Sequence, residues 1–346
     1  MLRKILKEFG IENNASVKPF GSGLINNTWV VNYKGKEFIL QRINDNVFKK
    51  PLDIAANIRS IDEYLEENHP DYLFATPYKT SAGDDLVIAD EGYFRLFPFI
   101  KGSHTTDVVN STSQAFEAAQ QFGRFTNLLS EFPVEKLKST IPDFHNLSLR
   151  YDQFGSALEM GNKERIHAAA DTVNFLKEQH EIVKISEQIK INREFKKRVT
   201  HHDTKISNVL FDENDKGLCV IDLDTVMPGY FISDVGDMMR TYLSPVSEEE
   251  KDLSKIEIRE EYFKAIADGY LSEMRNELTS IEKDHFVYAG KFMVYMQALR
   301  FLTDHLTNDI YYGAKYDGQN FIRAKNQVAL LKKIMEKEKL LQEIIS

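Results

Sequence analysis

The sequence predicts an α+β chain: a small antiparallel sheet with one helix in the first hundred residues, then a larger, mainly helical part. Three observations carry this. Short β-branched and aromatic segments joined by glycine turns occupy residues 17–97. Beyond Gly102 the apolar residues recur with a helical period. The chain has 346 residues, 42% apolar and 28% charged, which gives room for two lobes and material for a core. The expected division is a nucleotide-binding lobe over residues 1–100 and a helical lobe over residues 101–346.

Leu2, Ile5, Leu6 and Phe9 fall at helical spacing before Gly10. Val17–Phe20, Thr28–Tyr33 and Glu37–Ile43 read as a meander of three strands. Pro51 opens a helix to about Glu67, with Leu52, Ile54, Ile58, Ile61 and Leu65 on one face. Leu86–Ala89 and Tyr93–Phe97 form two more strands around Asp90-Glu91-Gly92. Helices are expected over 113–130, 148–159, 164–190, 233–242, 248–274, 281–305 and 320–343. One β-rich island interrupts them, with strands at Val199–His201, Val209–Phe211 and Leu218–Ile221.

Composition excludes several classes. The 23 Phe and 15 Tyr are too many for a chain that buries nothing. Net charge is 44 − 53 = −9, which argues against nucleic acid as partner. A single cysteine forms no intrachain disulfide, so no oxidising compartment is implied. The N-terminus lacks the apolar core of a signal peptide, and no stretch approaches a membrane span. The expectation is a cytoplasmic protein with no membrane partner, acting as a monomer or homodimer.

The island holds the chemistry. His201-His202-Asp203, then four residues, then Asn208 makes His-x-Asp-x4-Asn. From 9 His, 24 Asp and 21 Asn in 346 residues, chance gives about 0.04 such matches per chain. The motif follows one strand and leads into the next, and Asp222 and Asp224 end the strand after that. Phosphoryl transfer from a nucleotide needs this arrangement. Asp203 is the candidate base that accepts a hydroxyl proton. Asn208 and Asp222 are the candidate oxygen ligands for Mg²⁺ on the phosphates of ATP. His201 is expected to brace the loop by hydrogen bonds, Asp234 to cap a helix and Asp237 to anchor the loop backbone. Cys219, within a strand, is expected in the core. Zinc on His201 and His202 is disfavoured, because no third ligand stands at ligand spacing.

Gly21-Ser22-Gly23 joins the first two strands. It is neither a Walker A loop nor a Rossmann fingerprint, since strand and not helix follows. A Gly-x-Gly hairpin of this kind covers nucleotide phosphates with backbone amides. The third strand should present a cation to them. Arg42 supplies one, or Gln41 stands there if the register shifts by one residue. The orienting partner on the following helix is Asn57 or Glu63.

These segments, in this order, resemble the aminoglycoside phosphotransferase and choline kinase superfamily, and within it the N-acetylhexosamine 1-kinases. The resemblance runs from about residue 15 to 335 and rests on Gly21–Gly23, Leu40-Gln41-Arg42-Ile43-Asn44, Arg95–Gly102, Thr140–His145, Thr200–Phe211, Val220–Gly229 and Arg300–Asp304. It implies a two-lobed protein-kinase-like fold, adenine on backbone groups of the hinge from Phe97 to Ile100, and ATP-dependent phosphorylation of the anomeric hydroxyl of a sugar. Two features depart from it: the third-strand lysine of the wider superfamily is absent, and Lys315–Asn320 differs from the relatives' segment. The sugar contacts expected from the resemblance and from polarity in loops facing the cleft are Arg95, His145, Asn146, Arg150 and Asp224. The same chemistry on an aminoglycoside, choline or homoserine is the alternative enzyme, and a non-catalytic nucleotide-binding protein the alternative class. A protein kinase is disfavoured, because neither Asp-Phe-Gly nor Ala-Pro-Glu follows Asp222.

Overall fold

The computed structural model describes residues 2–12, 14–21 and 25–345. Helix α1 (Leu2–Glu8) stops at Gly10, whose φ of +73° suits glycine. Strands β1 (Ser16–Pro19), β2 (Asn27–Tyr33), β3 (Lys36–Ile43), β4 (Val87–Ala89) and β5 (Gly92–Pro98) form an antiparallel sheet in the order β1-β2-β3-β5-β4. Helix α2 (Pro51–Asn68) lies between β3 and β4 in sequence, with Pro51 in its first turn. Strand alternation divides the labour of the sheet. Val31, Leu40, Phe94 and Leu96 pack with α1 in a small core of their own. Ile43, on the other face, joins α2 and the main core.

The rest is helical: α3 (Thr112–Leu128), α4 (Leu147–Met160), α5 (Lys163–Ala168), α6 (Ala170–Glu178), α7 (Glu181–Ile191), α8 (Phe231–Tyr242), α9 (Glu260–Met274), α10 (Ser280–Asp284), α11 (Phe286–Leu306) and α12 (Gln319–Ile345). Two-stranded ribbons carry the island: β6 (Arg198–Thr200) with β9 (Met227–Gly229), and β7 (Val209–Phe211) with β8 (Gly217–Val220). Cys219 is fully buried in β8. No described helix is long and apolar enough to cross a membrane.

Three helical expectations change. Residues 164–190 form three short helices, α5 to α7, with breaks at Ala169 and at Gln179–His180. Residues 248–259 are not helical. Glu248 is drawn to Arg240 and Arg323, Asp252 caps a short 3-10 turn, and the Arg259 guanidinium donates to the carbonyls of Tyr242 and Ser244. The helix expected over 281–305 is split at His285 into α10 and α11. A capping box between Thr279 and Glu282 starts the first piece. Strand β9 was not expected, since Met-Pro-Gly has no alternating pattern.

One close approach positions the island. At Gly236 in α8, an added Cβ would lie 2.3 Å from the carbonyl oxygen of Ala289 in α11. The two helices therefore meet backbone to backbone beneath the 201–208 loop, and only glycine fits between them.

Candidate active site

The loop after β6 is held from behind by α8. Asp234 spends both carboxylate oxygens on it, accepting from the backbone amides of His201 (3.0 Å) and His202 (2.7 Å). Sequence reading made Asp234 a helix cap; the structure makes it a loop anchor, because α8 points its first turn into the turn at 201–204. Asp237 accepts from the Thr204 amide at 2.9 Å, as expected of it, and the Tyr242 hydroxyl donates to the Thr204 carbonyl. His201 is fully buried. Its Nε2 bonds the Ile221 carbonyl and its ring stands edge-on to Phe122, so it ties this loop to the next. His202 adopts a φ of +66° and Asp222 one of +60°, strained positions of a kind found at functional sites.

Asp203 is thereby presented in the cleft with its carboxylate shared. One oxygen pairs with Lys205 at 2.9 Å, and the other accepts from Asn208 Nδ2 at 3.0 Å. Burial works to raise this carboxyl, but Lys205, His201 and Arg240 outweigh it and hold the group below the ordinary aspartate value. Asn208 also donates to the Asp203 carbonyl, and its Oδ1 accepts no hydrogen bond among the described residues. Asp222 has no ion pair or hydrogen bond among them either. Its carboxylate is open to solvent yet enclosed by the cleft walls. That enclosure, with Asp224 and Asp203 close by, pushes it up to about 7.

A carboxylate and an amide oxygen that have no protein partner among the described residues make a hard donor set, and it fits Mg²⁺. The described residues hold no cluster of three His, Cys, Asp or Glu side chains able to form a protein cage. Mg²⁺ needs none, since it takes one or two protein oxygens and completes its shell with water and phosphate.

The cation expected on β3 is elsewhere. Thr28, Gln41 and Arg95 are cross-strand neighbours on one face, and Gln41 Oε1 accepts from Arg95 Nε (3.1 Å) and Nη2 (2.9 Å). Arg95 Nη1 lies 2.5 Å from Asp224, with both side chains buried. The charges touch, but the pair is not aligned as a hydrogen bond. Asp224 also accepts from Asn26 Nδ2 at 2.7 Å, just past the glycine loop. Arg42 projects to the opposite face, over Gly92, because successive strand residues alternate. It is not brought to the acidic pair. Nor do the expected helix partners reach it. Glu63 is exposed, and Asn57 bonds the Lys138 and Val226 backbone.

Gly21 has a φ of +79°, while Ser22 and Gly23 lie outside the described residues. Phe20, just before them, meets Phe99 of the Phe97–Ile100 segment edge-on at 6.2 Å. Phe97 lies under the Arg95 guanidinium at 5.0 Å.

The segment before α4 forms the other wall. His145 stacks on Phe144 and lies 5.2 Å, ring to ring, from His202. Burial, His202, Arg300, Arg240 and Arg150 hold the imidazole well below its usual value, so it is neutral. Arg150 reaches back to the Asp143 carbonyl. Asn146 is committed elsewhere: it caps α4 and meets Asp143 and Lys190. Of the five expected acceptor contacts, then, His145 and Arg150 share this wall, whereas Arg95 and Asp224 pair with each other below the sheet. Sequence reading gave no role to Lys205, Asn26 or Arg300. Lys205, two residues after Asp203, carried a signal as a cation at fixed distance from the base, and Arg300 stood in a segment that supports the resemblance without being singled out.

A family model described as the phosphotransferase enzyme family matches residues 16–276. Three solved structures share the fold. A spectinomycin phosphotransferase in complex with ADP and spectinomycin is 14% identical with a TM-score of 0.60, over 99% of this chain and 96% of its own. A microcompartment-associated aminopropanol kinase is 15% identical with a TM-score of 0.62, over 99% and 98%. A choline kinase from Cryptosporidium parvum is 17% identical with a TM-score of 0.56, over 95% and 92%. The fold is therefore the two-lobed, kinase-like one, with an antiparallel sheet above and a larger helical part below.

Proposed function

The chain belongs to the phosphotransferase enzyme family, and from that premise we propose that it is an ATP-dependent kinase acting on the anomeric 1-hydroxyl of an N-acetylhexosamine. The observation that carries the choice of acceptor is the wall opposite Asp203. His145 there is neutral, and of the arginines near it Arg150 and Arg300 have no carboxylate partner among the described residues, while Arg240 is matched by Asp237 and Glu248. The relatives' names include an aminopropanol kinase and a choline kinase, whose named substrates are alcohols that carry a cationic nitrogen. Such a cation would be repelled by this wall. A polyhydroxylated ring finds donors there, and its acetamide fits the segment 142–150.

In this reading residues 1–100 hold the nucleotide and residues 101–346 the acceptor, with adenine against the backbone of Phe97–Ile100. Arg95, not Arg42, is the cation that meets the phosphates, held by Gln41 and able to turn Nη1 from Asp224. Asn208 and Asp222 hold Mg²⁺, which when bound neutralises phosphate charge. Asp203 accepts the hydroxyl proton at its carboxylate and orients the oxygen in line. A weak base suffices, because a hemiacetal hydroxyl is more acidic than an ordinary alcohol and most of the barrier falls through positioning and charge. Lys205 keeps Asp203 ionised and adds a positive charge beside the transferred group.

The deciding experiment is an ATP-consumption screen over free sugars, aminoglycosides, choline and homoserine, with phosphorus–proton NMR of the product. Phosphate on C1 of a hexosamine supports the reading. Phosphate on C6, or turnover of choline alone, overturns it, and a 1-deoxy sugar should not react.

A further inference from the structure

Beyond the His145 wall lies a cavity of about 520 Å³, between α4, the end of α11 and the segment after it. Arg150 and Arg300 both line it, with Gln153, Thr303, Tyr311 and Tyr312. Neither arginine has an ion pair among the described residues. Several other guanidinium groups are matched with carboxylates: Arg95 with Asp224, Arg198 with Glu282, Arg240 with Asp237 and Glu248. Arg259 instead spends its donors on backbone carbonyls, whereas Arg150 and Arg300 face one shared cavity.

The donors of this pair are also underused. Arg150 bonds Gln153 and the Asp143 carbonyl, but its Nε is buried with no partner, as is the Thr303 hydroxyl. Arg300 makes only long hydrogen bonds, 3.3 Å to Gln297 and 3.4 Å to the Tyr311 hydroxyl, and otherwise lies over the rings of Phe144, Tyr311 and Tyr312. Burial and the neighbouring Arg300 hold the Arg150 guanidinium below its usual value, as two cations sharing one space require. Two carboxylates also line the cavity. Asp304 is engaged by the amides of Tyr311 and Tyr312 and by Asn320, and Asp152 is exposed.

We propose that this cavity is the subsite for an anionic substituent, a carboxylate or a phosphate, carried by the acceptor sugar on the side away from the phosphorylated hydroxyl. Guanidinium forks bind both groups in bidentate fashion. An anion would also supply the charge that the pair lacks. The subsite is continuous with the reacting centre: Arg300 lies 5.7 Å from the Phe144 ring, Phe144 stacks on His145, and His145 meets His202 beside Asp203. This inference rests on the sugar-kinase reading and narrows it to acidic acceptors.

The test is kcat/KM on two matched pairs, N-acetylglucosamine against its 6-phosphate and glucose against glucuronic acid. The charged member should lead by at least about 10-fold in one pair, and which pair does so separates phosphate from carboxylate. In Arg150→Gln and Arg300→Gln that ratio should fall to within about 3-fold of unity, with the thermal midpoint of each variant reporting on folding. Equal or better use of the neutral member in both pairs, or an unchanged ratio in both variants, overturns the subsite and leaves the sugar kinase standing. If no sugar is phosphorylated, the sugar reading fails. Calorimetric titration of glucuronate and N-acetylglucosamine 6-phosphate into wild type and Arg150→Gln then decides the subsite. Binding weakened about 10-fold or more in the variant upholds it; no binding, or equal binding, overturns it.

Discussion

Replacing Arg95 by Met tests the link between the sheet and the acidic pair. The substitution keeps a long apolar side chain and removes the guanidinium. Asp224, 1% exposed, then keeps only the Asn26 hydrogen bond. Removing one partner of a buried ion pair costs about 3–5 kcal/mol. An unfolding entropy near 2.1 cal/mol/K per residue gives roughly 0.7 kcal/mol/K for 346 residues, so the thermal midpoint should fall by about 4–7 °C. Asp224→Asn should also destabilise, by stranding Arg95. The double variant should recover at least about 2 kcal/mol of the summed loss, because the two costs are one interaction counted twice. Differential scanning fluorimetry of the four proteins gives the cycle. Additive losses would mean that the 2.5 Å contact carries no coupling, and the argument that Arg95 is the cation held over this site would fail with it. With ATP present, Arg95→Met should raise the nucleotide KM about 10-fold or more and the sugar KM much less.

Other substitutions probe the rest of the site. Asp203→Asn should lower turnover by on the order of 10² or more while ATP still binds; near-normal turnover in a steady-state assay removes Asp203 from its role. Asn208→Ala and Asp222→Ala should each raise the Mg²⁺ concentration needed for half-activity or abolish activity, and unchanged metal titrations in both would refute the ligand assignment. His202 is pushed by burial from 6.5 to about 4, so it favours the folded state while neutral. That contribution is complete above pH 6.5 and is lost as the pH falls towards 4, amounting to about 3 kcal/mol over the window. His202→Asn, which tolerates the positive φ, should flatten the acid limb of the stability profile by that amount in urea titrations at pH 4–7. Parallel profiles would show that His202 does not titrate with unfolding.

Much of the fold was legible because local signals agreed with the global one. The meander, α2 behind Pro51 and the short strands of the island are set by turn residues and alternation, and they lie within a few residues of expectation. The unbroken helix over 248–274 failed for a tertiary reason: apolar periodicity continues back through Arg259, but its guanidinium is drawn to the carbonyls of Tyr242 and Ser244, and Asp252 caps a separate 3-10 turn before it. The helix over 164–190 is broken locally, where the backbone leaves helical geometry at Ala169 and at Gln179. In the site, the His-x-Asp-x4-Asn spacing identified the loop, since its residues are close in sequence. Arg95 as partner of Asp224 could not be read that way: 129 positions separate them, and only the strand register brings Arg95 beside Gln41. The same alternation turned Arg42 away. Asp234 was misjudged because a helix's first acidic residue usually serves its own amides, and here it serves those of another loop.

The burial of Cys219 has a practical consequence for measuring distances within the molecule. Its thiol is fully enclosed in β8, and burial pushes it up to about 12, so at neutral pH it stays protonated and out of reach of maleimides. The wild-type chain therefore already behaves as a cysteine-free background. Cysteines placed on exposed positions of α2 and α12 would be the sole sites to take a donor and an acceptor dye. Any change in their separation on adding nucleotide could then be followed by energy transfer in single molecules, without first stripping the protein of native thiols.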